Sequence, residues 1–205
     1  WSERNRRALA QDLSATGRLV VSLEHRLQYR SELLVQLDLA AEGRPSFVEL
    51  WRAALAMDPD AALVDELRSA EEAHVVVDGA SGTFIVAQVM APDAAAARRK
   101  LAAWEVSPES LDTVLAALVE RLHVRQLCPA CRSEAPGDAS AGVARQFVAV
   151  GCDACDDGFL GVQPVCGITL VADGPDAATG LRAHLRRAVE EGVTHLSPVR
   201  RRLLD

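Results

Sequence analysis

Arg18-Leu-Val-Val-Ser-Leu-Glu24 is the stretch that decides the fold of this chain. Its apolar density predicts a strand that is buried within a sheet. Further apolar segments predict three more strands, at residues 33–39, 61–64 and 83–89. Helical patterns lie before, between and after these strands, at residues 5–14, 46–55, 70–78, 94–104 and 108–123. This alternation predicts an α/β fold, with a largely parallel sheet covered by helices.

The helix predicted at residues 46–55 has the clearest N-terminal signal in the sequence. Ser46 is a plausible N-cap, and Glu49 stands three residues later. In a capping box these two side chains satisfy backbone N–H groups that the first helical turn leaves open. We therefore expect the helix to begin at this pair and to run through Leu55.

Two cysteine pairs, Cys128-Pro-Ala-Cys131 and Cys152-Asp-Ala-Cys155, form the most specific chemical motif of the chain. Each Cys-x-x-Cys turn can direct two thiolates at one ion, so the two turns supply the four soft ligands of a structural zinc site. Such a site is closed, and it leaves no position for a substrate. Two disulfides or a redox pair remain the alternatives. Cys166 is expected to be a small buried hydrophobe.

The composition predicts an intracellular, soluble protein. The 205 residues are 49% hydrophobic and 4% aromatic, and no apolar run approaches the roughly 18 residues that a membrane span needs. A net charge of -7 provides no basic field for a phosphate backbone, so we expect no nucleic-acid partner. The chain opens on Trp1 without an initiator methionine, which suggests a fragment or a processed segment.

The chain is expected to form two domains, at residues 1–123 and 124–205. The second holds the cysteine pairs and is too small to be stable without the metal. Its predicted elements are a strand at 146–150 and helices at 177–191 and 197–204. The segment 133–142 is rich in Ser, Gly, Pro and Ala and should be an irregular loop.

The cysteine region resembles the tetracysteine element of the secretion ATPases, the motors of type II secretion and type IV pilus assembly. In that family a Gln-Arg-Leu stretch precedes the first pair and Gly-Tyr-x-Gly-Arg follows the second. Here the corresponding segments are Glu120-Arg-Leu122 and Gly158-Phe-Leu-Gly-Val162. The resemblance spans most of the chain and implies a RecA-like P-loop NTPase-type fold with an added zinc module.

The segment at residues 58–69 resembles the Walker B block of the same family, which reads Asp-Pro-Asp, a short apolar strand and then Gly-Glu-x-Arg-Asp. The chain keeps Asp60, Glu66 and Arg68, whereas Asp65 replaces the glycine and Ser69 the last aspartate. The resemblance implies that Glu66 would polarise the attacking water if hydrolysis occurs. It also implies nucleotide-binding roles for Asp60, Arg68 and, in the family's aspartate box, Glu24. For Glu24 and Arg68, a structural ion pair or a capping role is the favoured alternative.

Two further boxes depart from the family pattern. The aspartate box of the family ends a strand in Glu-Asp-Pro, where this chain has Glu24-His25-Arg26, and the acidic turn becomes a basic one. The histidine box resembles residues 81–90, but Thr83 and Met90 occupy both histidine positions. A hydroxyl and a thioether cannot replace two imidazoles.

No phosphate-binding Gly-x-x-x-x-Gly-Lys-Ser/Thr motif occurs in residues 1–205. The usual spacing in the family places its lysine at about Ser2, counted back from Glu24. Together with the two altered boxes, this favours a pseudo-ATPase with a structural or regulatory role. A working ATPase whose phosphate loop lies upstream of Trp1, and a protein-binding module on the same scaffold, remain the alternatives.

The resemblance also implies cofactors and partners. The cofactors are zinc and, if nucleotide is bound, ATP with Mg²⁺. The implied assembly is a homo- or hetero-oligomer, since members of the family assemble as hexamers. It further implies an inner-membrane platform protein as partner and a cytoplasmic location at the inner face of the bacterial inner membrane.

Overall fold

A computed structural model describes residues 3–27, 29–40, 43, 45–171 and 180–204. The chain divides into two compact units, Trp1–Leu115 and Ala116–Asp205. This division lies closer to the N-terminus than the boundary expected after residue 123.

The first unit is built on a four-stranded parallel sheet in the order β2-β1-β3-β4. Its strands are β1 (Val20–Glu24), β2 (Val35–Asp38), β3 (Ala61–Val64) and β4 (Phe84–Ala87). Its helices are α1 (Glu3–Ser14), α2 (Phe47–Leu55), α3 (Ala70–Gly79), α4 (Ala94–Ala103) and α5 (Pro108–Val114). The predicted α/β class with a parallel sheet is confirmed.

Both faces of the central strands are buried, which explains the continuous apolar run of β1. Val21 and Leu23 pack in one cluster with Phe47 and Trp51 of α2. Val20 faces the other side and packs in a cluster that includes Ala10 of α1. Because successive side chains of a strand alternate between faces, this run supplies two helix-covered surfaces at once.

The predicted capping box of α2 is confirmed. The Glu49 N–H donates to the Ser46 hydroxyl at 3.3 Å, and the Ser46 N–H donates to a Glu49 carboxylate oxygen at 2.8 Å. The hydrogen bond from the Ser46 N–H, and then one from the Ser46 hydroxyl to the same carboxylate oxygen, lower the pKa of Glu49. On the same helix, the buried Trp51 donates its indole N–H to the Val75 carbonyl of α3 at 2.8 Å.

The second unit contains two antiparallel strand pairs and two helices. Its strands are β5 (Ala117–Leu127), β6 (Ser133–Asp138), β7 (Val143–Val148) and β8 (Phe159–Leu170), and its helices are α6 (Leu181–Glu190) and α7 (Arg200–Leu204). β5 pairs with β8 and β6 pairs with β7. Gly167 of β8 lies so close to the backbone of Leu181 that a Cβ there would collide with it.

Two expectations for local structure are wrong, and one strand was missed. The helix predicted for residues 108–123 ends at Val114, and the rest of that segment belongs to β5, because long-range pairing with β8 overrides the helical preference of its residues. The predicted loop at 133–142 contains β6 and a 3₁₀ turn at 139–141. β8 was not predicted at all. The first residues of the helix predicted at 177–191 lie outside the described residues.

Candidate functional site

The four paired cysteines converge in the second unit. Cys128 follows the end of β5, and its N–H donates to the Gly158 carbonyl at 2.8 Å, which fixes it against the start of β8. Each pair forms a tight turn that a backbone hydrogen bond closes. The Cys131 N–H donates to the Cys128 carbonyl at 3.4 Å, and the Cys155 N–H donates to the Cys152 carbonyl at 3.2 Å. Two turns therefore present their thiols to the same point.

The sulfur atoms of these cysteines have the spacing of a metal site. Their separations include 3.6 Å for Cys152 and Cys155, 3.7 Å for Cys131 and Cys155, and 4.0 Å for Cys128 and Cys152. All four ligand atoms lie within 4.8 Å of one another. A zinc tetrahedron with bonds of about 2.3 Å places its sulfurs about 3.8 Å apart, whereas a disulfide needs about 2.05 Å. The cluster is compatible with a metal and contains no disulfide geometry.

Protonation of the cluster depends on whether a cation is bound. Burial is the largest cause that raises the pKa of the Cys131 thiol to about 12, and hydrogen bonds with the neighbouring cysteines act in the same direction, against a lowering hydrogen bond with the Gly151 backbone. Four thiolates so close together repel one another, and a divalent cation removes that repulsion. Metal binding should therefore release protons and weaken as the pH falls. Cys166, expected to be buried, is exposed on β8.

The second candidate region is the carboxyl edge of the parallel sheet, where β1, β3 and β4 end. Glu24 ends β1 and is 1% exposed. One of its carboxylate oxygens accepts from the Ser22 hydroxyl at 2.9 Å and from the Gln36 amide at 3.0 Å. These bonds tie β1 to β2 inside the unit.

The structure places the other predicted nucleotide residues at two different edges. Glu66 and Arg68 follow β3 at the carboxyl edge, where the Arg68 guanidinium donates to the Glu66 carboxylate at 3.0 Å. Asp60 precedes β3 and accepts from the Leu19 N–H at 2.8 Å. β3 has four residues of about 3.3 Å each, so Asp60 lies at the amino edge and away from the other two.

Sequence reasoning missed a contact between His25 and Asp65. The His25 backbone N–H donates to one Asp65 carboxylate oxygen at 2.9 Å, and ring atom Nδ1 lies 2.7 Å from the other. Both residues depart from the family pattern, which was the only hint that they belong together. The backbone and the ring of His25 therefore cover the side of the Asp65 carboxylate that faces the end of β1. Among the described residues, the cysteines are the one group of three or more potential ligands that converges on a point.

The two positions of the histidine box lie at opposite ends of β4. Thr83 precedes the strand, and Met90 follows it with 57% exposure. The Met90 sulfur accepts from the Gln88 amide at 2.9 Å, and its carbonyl accepts from Lys100 at 3.1 Å. The carboxyl end of β4 thus presents a thioether.

The fold and the site together define an α/β unit with a parallel sheet followed by a tetracysteine unit. A family model described as Type II/IV secretion system protein matches residues 7–196. Because this match covers most of the chain, the chain belongs to the Type II/IV secretion system protein family. No helix among the described residues is long and apolar enough to cross a membrane.

Curated relatives point the same way. Type II secretion system protein E of Klebsiella pneumoniae is 31% identical over 166 residues, which cover 76% of this chain and 33% of that protein. The type IV pilus assembly ATPase PilB of Thermus thermophilus is 26% identical over 165 residues, or 74% of this chain and 19% of the relative. The chain thus spans a third or less of the length of these two relatives.

Solved structures support the fold. The ATPase DotB of Legionella pneumophila superposes on this chain with a TM-score of 0.60 at 13% sequence identity. The superposition covers 91% of this chain and 51% of DotB. The pilus retraction motor PilT, solved with bound ADP, gives a TM-score of 0.50 at 14% identity over 85% of this chain and 42% of PilT.

Proposed function

We propose that this chain is a pseudo-ATPase subunit of a type II secretion or type IV pilus assembly motor, with a structural or regulatory role. The observation that carries the proposal is the set of groups at the carboxyl edge of the sheet. The turn after β1 presents His25, β3 is followed by an Asp65 held by that histidine, and the end of β4 presents Met90.

This set is poorly suited to phosphoryl transfer. The reaction depends on positioning and on electrostatic stabilisation by a metal and by fixed donors. The thioether of Met90 is not an oxygen ligand of the kind that Mg²⁺ requires, and the Asp65 carboxylate is shared with His25. Glu66 would have to polarise water beside the guanidinium of Arg68.

The proposal assigns zinc to the cluster of Cys128, Cys131, Cys152 and Cys155. Four thiolates in a closed arrangement match structural zinc better than magnesium or calcium, which require oxygen ligands. The ion would fasten the end of β5 to the loop before β8 and would take no part in chemistry.

The proposal also includes an assembly and a location. The names of the relatives, a type II secretion protein and a pilus assembly ATPase, support a place in a secretion or pilus motor. There the chain would join a homo- or hetero-oligomer of hexameric type, at the cytoplasmic face of the inner membrane, and contact a platform protein. Nucleic acid is not expected as a partner.

ATP turnover by the untrimmed native polypeptide, with zinc present, tests the proposal. The expected result is no turnover above a no-enzyme blank and no ATP binding by calorimetry, for both the unaltered protein and Glu66→Gln. Magnesium-dependent turnover that Glu66→Gln abolishes would contradict it. Turnover that survives both Glu66→Gln and further purification would contradict it as well, whereas turnover that purification removes belongs to a contaminating ATPase.

A working ATPase is the second candidate. It is favoured because Glu66 follows a central strand at the carboxyl edge with 28% of its side chain exposed, so a water molecule can reach it. This candidate requires a phosphate loop outside residues 1–205, and it predicts that Glu66→Gln abolishes turnover in the untrimmed polypeptide.

A protein-binding module is the third candidate, and an exposed apolar strip on the β5–β8 pair favours it. Val119 and Ile168 face each other across the ladder with exposures of 55% and 58%. Large exposed apolar patches commonly mark interaction surfaces. If this candidate holds, Val119→Ser with Ile168→Ser should weaken binding of the cytoplasmic part of a platform protein, measured by calorimetry, whereas Glu66→Gln should not.

A further inference from the structure

The contact between His25 and Asp65 lies where a sheet of this topology would bind a ligand. With the strand order β2-β1-β3-β4, the chain moves from β1 to one side for β2 and to the other side for β3. In open parallel sheets, ligands bind outside the carboxyl ends of the strands at such a reversal, here between β1 and β3. His25 follows the end of β1, and Asp65 follows the end of β3.

Both oxygens of the Asp65 carboxylate are occupied by one residue. The His25 backbone N–H reaches Oδ2 at 2.9 Å, and ring atom Nδ1 reaches Oδ1 at 2.7 Å. Since an ionised carboxylate only accepts hydrogen bonds, Nδ1 carries a proton in this contact. The Asp65 N–H in turn donates to the Leu23 carbonyl at 3.1 Å. The side-chain contact therefore extends the β1–β3 ladder past the ends of the strands.

The other sides of the imidazole are also occupied. Atom Nε2 lies 3.7 Å from a carboxylate oxygen of Glu72, at the start of α3. The ring stacks on Phe47 of α2, with centroids 6.2 Å apart and an interplanar angle of 18°. The side chains of His25, Asp65 and Glu72 are only 12–14% exposed. The histidine ring thus fills the space between two carboxylates.

We propose that His25, Asp65 and Glu72 form a latch that closes the crevice between the ends of β1 and β3 and keeps divalent cations out of it. The latch rests on the proposed function. It supplies a physical reason why the carboxyl edge of the sheet would not bind a nucleotide together with its metal. It also explains two sequence departures together. His25 stands where the family resemblance implies an acid, and Asp65 where it implies a glycine, so each replacement supplies the partner of the other.

Manganese binding tests the latch, with the 205-residue chain labelled with ¹⁵N and Mn²⁺ as the probe. His25→Asp replaces the ring by a third carboxylate and should open the crevice to the ion. Millimolar Mn²⁺ should broaden the amide signals of Asp65, Glu66 and Glu72 in this variant and leave them sharp in the unaltered chain. His74→Asp is the matched control, because His74 is also a half-buried histidine but bonds to the Trp104 carbonyl at 2.8 Å. It should leave the same signals sharp.

Two outcomes of this titration overturn the latch. Selective broadening in the unaltered chain would show that the edge already binds the ion. The absence of broadening in a folded His25→Asp variant would show that the histidine is not what excludes it.

A double-mutant cycle gives a second measurement in case one variant is poorly folded. In this cycle, His25→Ala and Asp65→Ala should show a coupling of about tenfold or more in the unfolding equilibrium constant. The coupling reports the contact between Nδ1 and the Asp65 carboxylate in a sheltered site, because His25→Ala retains the backbone N–H. The exposed pair Arg98 and Asp112, at 2.7 Å, is the control and should show less than about fivefold coupling. Coupling of His25 and Asp65 no larger than that of the control contradicts the latch.

Failure of the latch and failure of the proposed function are distinguishable. ATP turnover by the untrimmed polypeptide, with the His25–Asp65 coupling intact, would refute the pseudo-ATPase and leave the latch as a structural pair. Mn²⁺ binding to the unaltered chain without turnover would refute the latch alone.

Discussion

Removal of metal from the cysteine cluster should destabilise the second unit by an amount that follows from chain connectivity. Cys128 and Cys152 are separated by 24 positions, so the shared ion closes a loop of about 25 residues. For a cross-link of that span, the loss of unfolded-chain entropy is about 12 cal/mol/K, or on the order of 400-fold in the unfolding constant. In a unit of about 90 residues, this corresponds to a fall in melting temperature of about 15–20 °C.

Differential scanning calorimetry is the assay, combined with metal analysis of the purified chain. The chain should contain one zinc per molecule, and a strong chelator should lower the melting temperature by the stated amount. Cys152→Ser should bind less zinc and show the same fall without chelator. Cys166→Ser is the matched control, since Cys166 is exposed on β8 and lies outside the four-cysteine cluster.

The reasoning is refuted if the chain, purified without chelator, contains no metal and melts at the same temperature with or without added zinc. A chelator effect equally large in Cys152→Ser would also refute it, because the effect would then not arise at these cysteines. Zinc affinity that does not weaken between pH 8 and pH 6 would contradict binding by thiols that must lose a proton to the solvent.

Three further predictions concern the scaffold. Ser46→Ala should cost about 1 kcal/mol through the lost N-cap of α2, seen as a melting-temperature fall of about 2–4 °C, and a change below one degree would contradict it. Gly167→Ala should destabilise the chain by about 1–3 kcal/mol in urea unfolding, since the added Cβ meets the backbone at the start of α6, and an unchanged midpoint would refute that contact. The pKa of Asp138 is lowered to about 2 by hydrogen bonds from Ser140 and then Arg200, so its stabilising effect is present above about pH 4 and is lost as the pH falls towards 2. Asp138→Asn should therefore lower the melting temperature at pH 7, and a difference that persists unchanged at pH 2 would contradict this cause.

Local patterns in the sequence predicted the parts of the fold that depend on neighbouring residues. β3 has the predicted bounds, Ala61–Val64, because four consecutive apolar residues between polar ones leave little choice of register. The Ser46 cap was found because its partner lies only three residues away. The cysteine cluster was found because each Cys-x-x-Cys turn fixes two ligands locally, and only the meeting of the two turns needs the fold.

Elements that depend on partners distant in the chain could not be predicted from the sequence. β5 looks helical because Ala, Leu, Glu and Arg favour helices, but its backbone is paired with β8 over eleven residues. The contact between His25 and Asp65 joins positions 40 apart, and no spacing rule covers such a pair. Only the topology of the sheet places the two strand ends side by side.

The burial of Glu24 changes what its match to the family pattern implies. A glutamate kept for nucleotide chemistry would need an oxygen directed at the ligand, whereas one oxygen of Glu24 accepts from Ser22 and Gln36 and the side chain is 1% exposed. Removing a buried hydrogen-bonded acid from such a position is costly, so the strand pairing of β1 and β2 is by itself a sufficient reason for a glutamate there. Strand pairing alone thus accounts for the match at Glu24, and a nucleotide-binding role for this residue stays a prediction. The departures at His25 and Asp65 carry more, because these two residues bond to each other beyond the carboxyl ends of β1 and β3.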